Sequence, residues 1–150
     1  MTDTHLTDSA REMLRKPNPA VIATVRKDGQ PVTAATWYLL RDDDRVLVNM
    51  DEGRVRLKHL HRDPRVSLTV TDKENWYTHV TLIGRVVEIY DDPELVDIDA
   101  LSTHYSGQPY PRRDRPRVSA LIEVDRGARL GRAEEQRPGL SHPQITTKRW

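Results

Sequence analysis

The sequence predicts a mainly β domain of the small-barrel kind, carrying two or three short helices. Three observations support this: six runs of β-branched and apolar residues, turn signals rich in Gly, Asp and Pro between them, and few stretches with a helical period. At 150 residues the chain fits one domain. Hydrophobic residues make up 36% and charged residues 31%. That is a thin core for the length, and it predicts a homodimer that buries further surface.

The elements follow in order. Ser9-Ala10-Arg11-Glu12 has capping-box spacing, which predicts a helix running to Lys16 and stopped by Pro17 and Pro19. The run 20–25 reads as a buried strand, and Lys27-Asp28-Gly29-Gln30 supplies the Asp-Gly turn of a hairpin. A returning strand covers 32–40, an acidic turn covers 41–45, and a third strand covers 46–50. After Gly53, residues 54–63 lose the alternation and end at Pro64, which predicts a short crossing helix. Strands follow at 65–71 and 76–90, the second with Gly84 inside it, where glycine marks a bulge, a bend or a close backbone approach. Asp92-Pro93-Glu94 predicts a cap with proline at the first helical position, and Leu95, Ile98, Leu101 and Tyr105 then share one helical face. A Pro- and Arg-rich loop covers 108–116, and a sixth strand covers 117–124. The domain is expected over residues 1–130, and 131–150 read as an irregular tail.

Composition excludes several functions. Without cysteine there is no disulfide framework, no Cys-based zinc site and no thiol nucleophile. The N-terminus lacks a basic-then-apolar leader and no stretch approaches membrane-spanning length, so a cytoplasmic protein without membrane partners is expected. A net charge of +1 argues against nucleic acid as a partner. His59-x-His61 does not make a metal site, because on a helix the two imidazoles point about 200° apart.

The most informative stretch is 49–59. A strand ends, an acidic turn with Gly53 follows, and Arg54, Arg56 and Lys58 cluster in the first turns of a helix. Cations there oppose the helix dipole unless an anion neutralises them, while free N–H groups at the same place attract phosphate. Two readings follow from the residues, a phosphate site and a solvated helix face.

Ala20-Val21-Ile22-Ala23-Thr24 with Asp28-Gly29-Gln30-Pro31, then Gly53-Arg54-Val55-Arg56-Leu57-Lys58-His59-Leu60 with Arg62-Asp63-Pro64-Arg65-Val66, resembles the pyridoxamine-phosphate-oxidase-like split-barrel superfamily. Within it the chain is most similar to the deazaflavin-dependent reductases that use coenzyme F420, and Tyr105-Ser106-Gly107-Gln108-Pro109-Tyr110-Pro111 resembles a segment common in that branch. The resemblance covers residues 13–124. It implies a homodimer of six-stranded split β-barrels with cofactors in the grooves between subunits. It places the cofactor phosphate at the crossing helix, on Arg54, Arg56 and Lys58 with Leu57 among them. The ring system is implied to lie along Val48, Asn49 and Met50, with Thr36 and Trp37 on the neighbouring strand. Arg26 and Lys27 sit where relatives direct basic residues to the F420 tail. Trp76 and Tyr77 lie where relatives wall the partner's cofactor, and Trp76 is favoured because consecutive strand residues face opposite ways.

The activity implied is hydride transfer from reduced F420 to an unsaturated or conjugated small-molecule substrate, with no catalytic acid readable. The alternatives are an FMN oxidase or reductase of the same fold and a non-enzymatic F420 carrier or sensor.

Overall fold

In the computed structural model, which describes residues 6–125 and 130–131, the run after Pro19 is β1 (Ala20–Val25). Its Ala20, Ile22 and Thr24 point into the core, while Val21, Ala23 and Val25 point outward. The Asp28-Gly29 turn, with Gly29 at φ 87°, returns the chain as β2 (Pro31–Thr36). Then come β3 (Leu39–Leu40), β4 (Val46–Asp51), the helix α2 (Val55–Arg62), β5 (Arg65–Thr71) and β6 (His79–Asp91). The last elements are the helix α3 (Val96–Ser106), β7 (Arg117–Val124) and β8 (Leu130–Gly131), and α1 (Asp8–Leu14) precedes them all.

The strands form one antiparallel sheet in the order β2-β1-β5-β6-β7-β4-β3, with β8 paired to β6. Its curvature follows from this order. β2 and β3 lie at opposite ends of the sheet, yet Thr36 and Leu39 are three Cα steps apart in the chain, a reach of at most about 11 Å. A flat sheet would separate those edges by roughly 29 Å at the usual strand spacing. The sheet therefore curls into a half-barrel, with Tyr38 at the seam. Tyr38 is fully buried, and its hydroxyl donates to the Lys16 carbonyl at 2.9 Å.

The inner face packs Ile22, Val48, Leu68, Leu82 and Ile122, and α1 adds Met13 and Leu14. A second apolar cluster lies outside the barrel, where Ile98 and Leu101 of α3 cover Leu47 and Leu121. That cover is why β4 is buried along both faces. β2 is the opposite case, exposed from Pro31 to Ala35. Gly84 proves to be a close approach, since a Cβ there would collide with the Glu123 carbonyl on β7.

Several boundaries differ from those the sequence predicts. α1 is capped by Thr7, whose hydroxyl accepts from the Ala10 N–H, so helix begins at Asp8 and the Ser9–Glu12 box does not form. The strand expected over 32–40 breaks at Trp37-Tyr38, where the chain changes pairing partner from β1 to β4. β6 begins at His79 rather than Trp76. The Asp72 carboxylate accepts from the Glu74 and Asn75 N–H groups, and a turn closed by Thr78 N–H to the Asn75 carbonyl holds Trp76 and Tyr77 outside the ladder. α3 starts at Val96, three residues after Pro93, yet Asp92 still caps it by accepting from the Asp97 and Ile98 N–H groups. The six expected strands are all present, with the second split into β2 and β3 and the two-residue β8 added. The tail reading falls on residues outside those described, apart from Gly131.

Candidate functional site

The turn after β4 determines how the basic segment is presented. The Asp51 carboxylate accepts from the Gly53 N–H at 2.8 Å and pairs with Arg115 at 2.5 Å. The Gly53 N–H, then Arg115, holds its pKa below the usual carboxylate value. This acid is therefore engaged away from Arg54, which sits at the N-cap of α2 in extended conformation and makes no side-chain cap. Arg56, the second residue of α2, is only partly exposed, and its Nε is buried with no hydrogen-bond partner among the described residues. Burial first, then the charges of Arg54 and Arg117, pulls its guanidinium below the ordinary arginine value. It remains a cation at neutral pH. An unpaired buried donor on a charged group costs about 1–3 kcal/mol or more, so such a donor calls for an ordered water or a ligand to complete it.

Around Arg56 lies a groove of two adjoining cavities, of about 660 Å³ and 510 Å³, which share Ala35, Asn49, Arg54, Arg56, Tyr110 and Arg117. The larger is lined by four basic side chains, Arg54, Arg56, Lys73 and Arg117, and by no acidic one. Its wall is aromatic: Trp37 stacks on Tyr105 with centroids 5.3 Å apart and meets Tyr110 edge-on at 6.3 Å. The Tyr105 hydroxyl donates to the Asn18 carbonyl at 2.7 Å, and burial pushes its pKa up to about 12. The smaller cavity reaches β1 and α2, where Thr24 Oγ1 and His59 Nδ1 are 2.9 Å apart and buried. The arrangement is a positively charged, aromatic-walled slot, able to hold a flat ring system that carries an anionic group. Among the described residues no group of three His, Cys, Asp or Glu side chains is placed to hold a metal ion.

A family model described as pyridoxamine 5'-phosphate oxidase matches residues 6–130. The chain belongs to that family. Among solved structures, an F420 reductase is 26% identical, covering 76% of this chain and 91% of its own with a TM-score of 0.68. The Mycobacterium tuberculosis protein Rv2991 is 22% identical over 97% of this chain and 98% of its own, also at 0.68. General stress protein 26 of Bacillus anthracis is 18% identical over 81% and 94%, at 0.59. The last two show the shared split-barrel fold. A search of curated proteins gives no match.

The structure brings some of the sequence-predicted residues of this family member together and separates others. Arg54 and Arg56 line both cavities, as does Asn49; Thr36 and Trp37 line the larger, and Met50 the smaller. Val48 and Leu57 are core residues that line neither. Lys58 is exposed on α2 and also lines neither. Arg26 and Lys27 are exposed in the first hairpin, with Arg26 3.2 Å from Asp28. Trp76 and Tyr77 are 68% and 45% exposed and stack on each other at 4.8 Å. The expectation that they face opposite ways along a strand does not apply, because they lie in a turn.

Four basic or aromatic residues that line the larger cavity were not anticipated: Lys73, Tyr105, Tyr110 and Arg117. Tyr105 and Tyr110 lie in the segment whose resemblance pointed to the family, so a signal existed. Lys73 and Arg117 had none, being single basic residues in a chain with 24.

Proposed function

We propose that this protein is an F420-dependent oxidoreductase that passes a hydride from the reduced deazaflavin to an unsaturated or conjugated small-molecule acceptor. The observation that carries the reading is the convergence of Arg54, the half-buried Arg56 and Arg117 on the larger cavity, which no carboxylate lines, with Asp51 of the adjoining cavity already paired with Arg115. That donor set fits a cofactor phosphate, since charge-assisted bonds from guanidinium to phosphate are among the stronger polar contacts. F420 is favoured as the source by the 26% identical F420 reductase. FMN is the second reading, favoured by the convergence of Arg54, Arg56 and Arg117, which suits the nearly dianionic phosphate of a monoester.

When bound, the reduced deazaflavin supplies the hydride, and the protein binds, orients and excludes water. Arg54 and Arg56 hold the phosphate end. Trp37, Tyr105 and Tyr110 wall the ring end and keep the slot dry. Tyr105 retains its proton near neutral pH, because its hydroxyl is engaged with the Asn18 carbonyl and burial opposes ionisation. It acts as a wall rather than a general acid.

The same reading includes a homodimer. The outward face of β1, β5 and β6 aligns Ala23, Ser67 and Ile83 in one row and Val21, Thr69 and Thr81 in the next. These rows carry no charge, and Val21 and Ile83 are 43% and 47% exposed. With β2 exposed beside them, the surface is suited to burial against a second copy.

The test is titration of F420 and FMN into the native protein and into the Arg54→Ala/Arg56→Ala variant, following Trp fluorescence. The variant should bind either ligand at least about 100-fold more weakly, as loss of two charged partners implies. Unchanged affinity would return the segment to a solvated helix face.

A further inference from the structure

Arg117 opens β7, where it is paired with Asp51 of β4 beside the turn that leads into α2, and it lines the groove. Its Nε donates to Asn49 Oδ1 at 2.8 Å, its Nη1 reaches the Tyr110 hydroxyl at 3.4 Å, and its guanidinium carbon lies 4.7 Å from the centre of the Tyr110 ring. Among the described residues nothing accepts from its Nη2 and no carboxylate pairs with it. The guanidinium is thus fixed in plane and direction by neutral partners, with its charge left over. Its field is felt at Arg56, where it is one of the causes that lower that side chain's pKa. The nearest carboxylate, Asp51, feels the charge of Arg117 but is already paired with Arg115; two like charges held close oppose folding, and a fold that orients one of them this carefully has a use for it.

Asn49 is itself fixed. Its Nδ2 donates to Ser119 Oγ at 2.9 Å and to Asp92 Oδ2 at 3.2 Å, which leaves the carbonyl oxygen, not the amide nitrogen, to face Arg117. Asp92 is buried and also caps α3. Ser119 in turn donates to Asp97 at 2.7 Å. The chain of contacts therefore runs from the start of α3, through a buried amide, to one guanidinium in the groove.

We propose that Arg117 is a third ligand of the cofactor's phosphate, beside Arg54 and Arg56, and that Asn49 is the residue that positions it. This rests on the phosphate reading above and deepens it. The phosphate is gripped by residues of two elements, α2 with its N-cap and β7, so it is the point that fixes the ligand along the groove. Arg117 adds affinity for the phosphorylated cofactor and none for the ring.

The test compares each cofactor with its phosphate-free counterpart: F420 against the ribityl deazaflavin without phosphate and tail, and FMN against riboflavin. In the native protein the phosphorylated member of the preferred pair should bind more tightly by at least about 100-fold. Arg117→Gln should weaken that member about 10- to 100-fold and change its phosphate-free counterpart less than about twofold. Asn49→Leu should give a smaller loss of the same selectivity, and Arg117→Gln/Asn49→Leu should be no worse than Arg117→Gln alone, because the amide acts through the guanidinium. If Arg117→Gln does not fold, Arg117→Lys carries the test: it keeps the charge without the planar fork and should lose an intermediate part of the selectivity.

Equal losses for both members of a pair, or no loss, would overturn the role of Arg117. Additive losses in the double variant would overturn the positioning role of Asn49. A native protein that does not prefer the phosphorylated member would instead remove the phosphate reading itself.

Discussion

Replacing Arg56 by Met should make the ligand-free protein more stable and the liganded protein less so. Met keeps the unbranched stem of the side chain and removes the guanidinium. What disappears with it is the buried Nε that has no partner, together with repulsion from Arg54 and Arg117. Leaving such a donor unsatisfied costs about 1–3 kcal/mol. Part of that gain is offset by packing lost around the shortened chain, so a net stabilisation of about 1 kcal/mol is expected, or about 2–4 °C in Tm for a chain of this length. Ligand binding moves the other way. Loss of one charged fork weakens affinity about 10- to 100-fold. A cofactor present at a hundred times its native Kd stabilises the native protein by about 2.7 kcal/mol, but after a hundredfold weakening the same concentration adds only about 0.4 kcal/mol. The assay is a pair of thermal melts with and without F420, repeated with FMN. A ligand-free Tm that falls by several degrees, with the ligand-induced shift unchanged, would show that Arg56 serves the fold rather than a ligand.

Other consequences can be measured on the same footing. Gly84→Ala places a methyl group against the Glu123 carbonyl, which moves only if the β6–β7 ladder opens; a loss of about 3 kcal/mol, roughly 6–12 °C in Tm, is expected, and near-native stability would contradict the close approach. Ala23→Glu puts a charge in the middle of the uncharged outward face, so sedimentation velocity should show a dimer for the native protein and a monomer for the variant; an unaltered dimer would locate the interface elsewhere. Asp63 is held at about 2, first by the Arg65 side chain and then by its N–H. Because the folded value lies below the unfolded one of about 3.9, its contribution is complete above about pH 4 and fades as the pH falls towards 2. Asp63→Asn should therefore show a shallower fall of Tm across that window, and superimposable acid limbs would remove Asp63 from the balance.

The sequence shows the fold more clearly than it shows the site, for physical reasons. Strands at 20–25 and 65–71 were legible to the residue because each lies between strong turn signals and alternates or runs apolar as its burial requires. The break at Trp37-Tyr38 was not legible, because local propensity is uniform through it. What interrupts the strand is the seam of the half-barrel, a property of the whole sheet order. Trp76 and Tyr77 looked like the start of a strand, and the Asx turn at Asp72 overrode their β propensity.

At the site, Arg54 and Arg56 stood out because cations at a helix start are locally unfavourable. Lys58 shared the pattern but is exposed and away from the groove. Arg117 carried no local signal at all. It matters through a contact with Asn49, 68 residues away in the chain, that only the pairing of β4 with β7 creates.

On the proposed function, the groove around Arg54, Arg56 and Arg117 holds the phosphate end of a deazaflavin. Calorimetric titration of F420 and FMN side by side tests it most directly. F420 binding at least about tenfold more tightly than FMN, a difference of about 1.4 kcal/mol, is the predicted result. FMN binding as tightly or more so would contradict the cofactor assignment, and binding of neither would contradict the site.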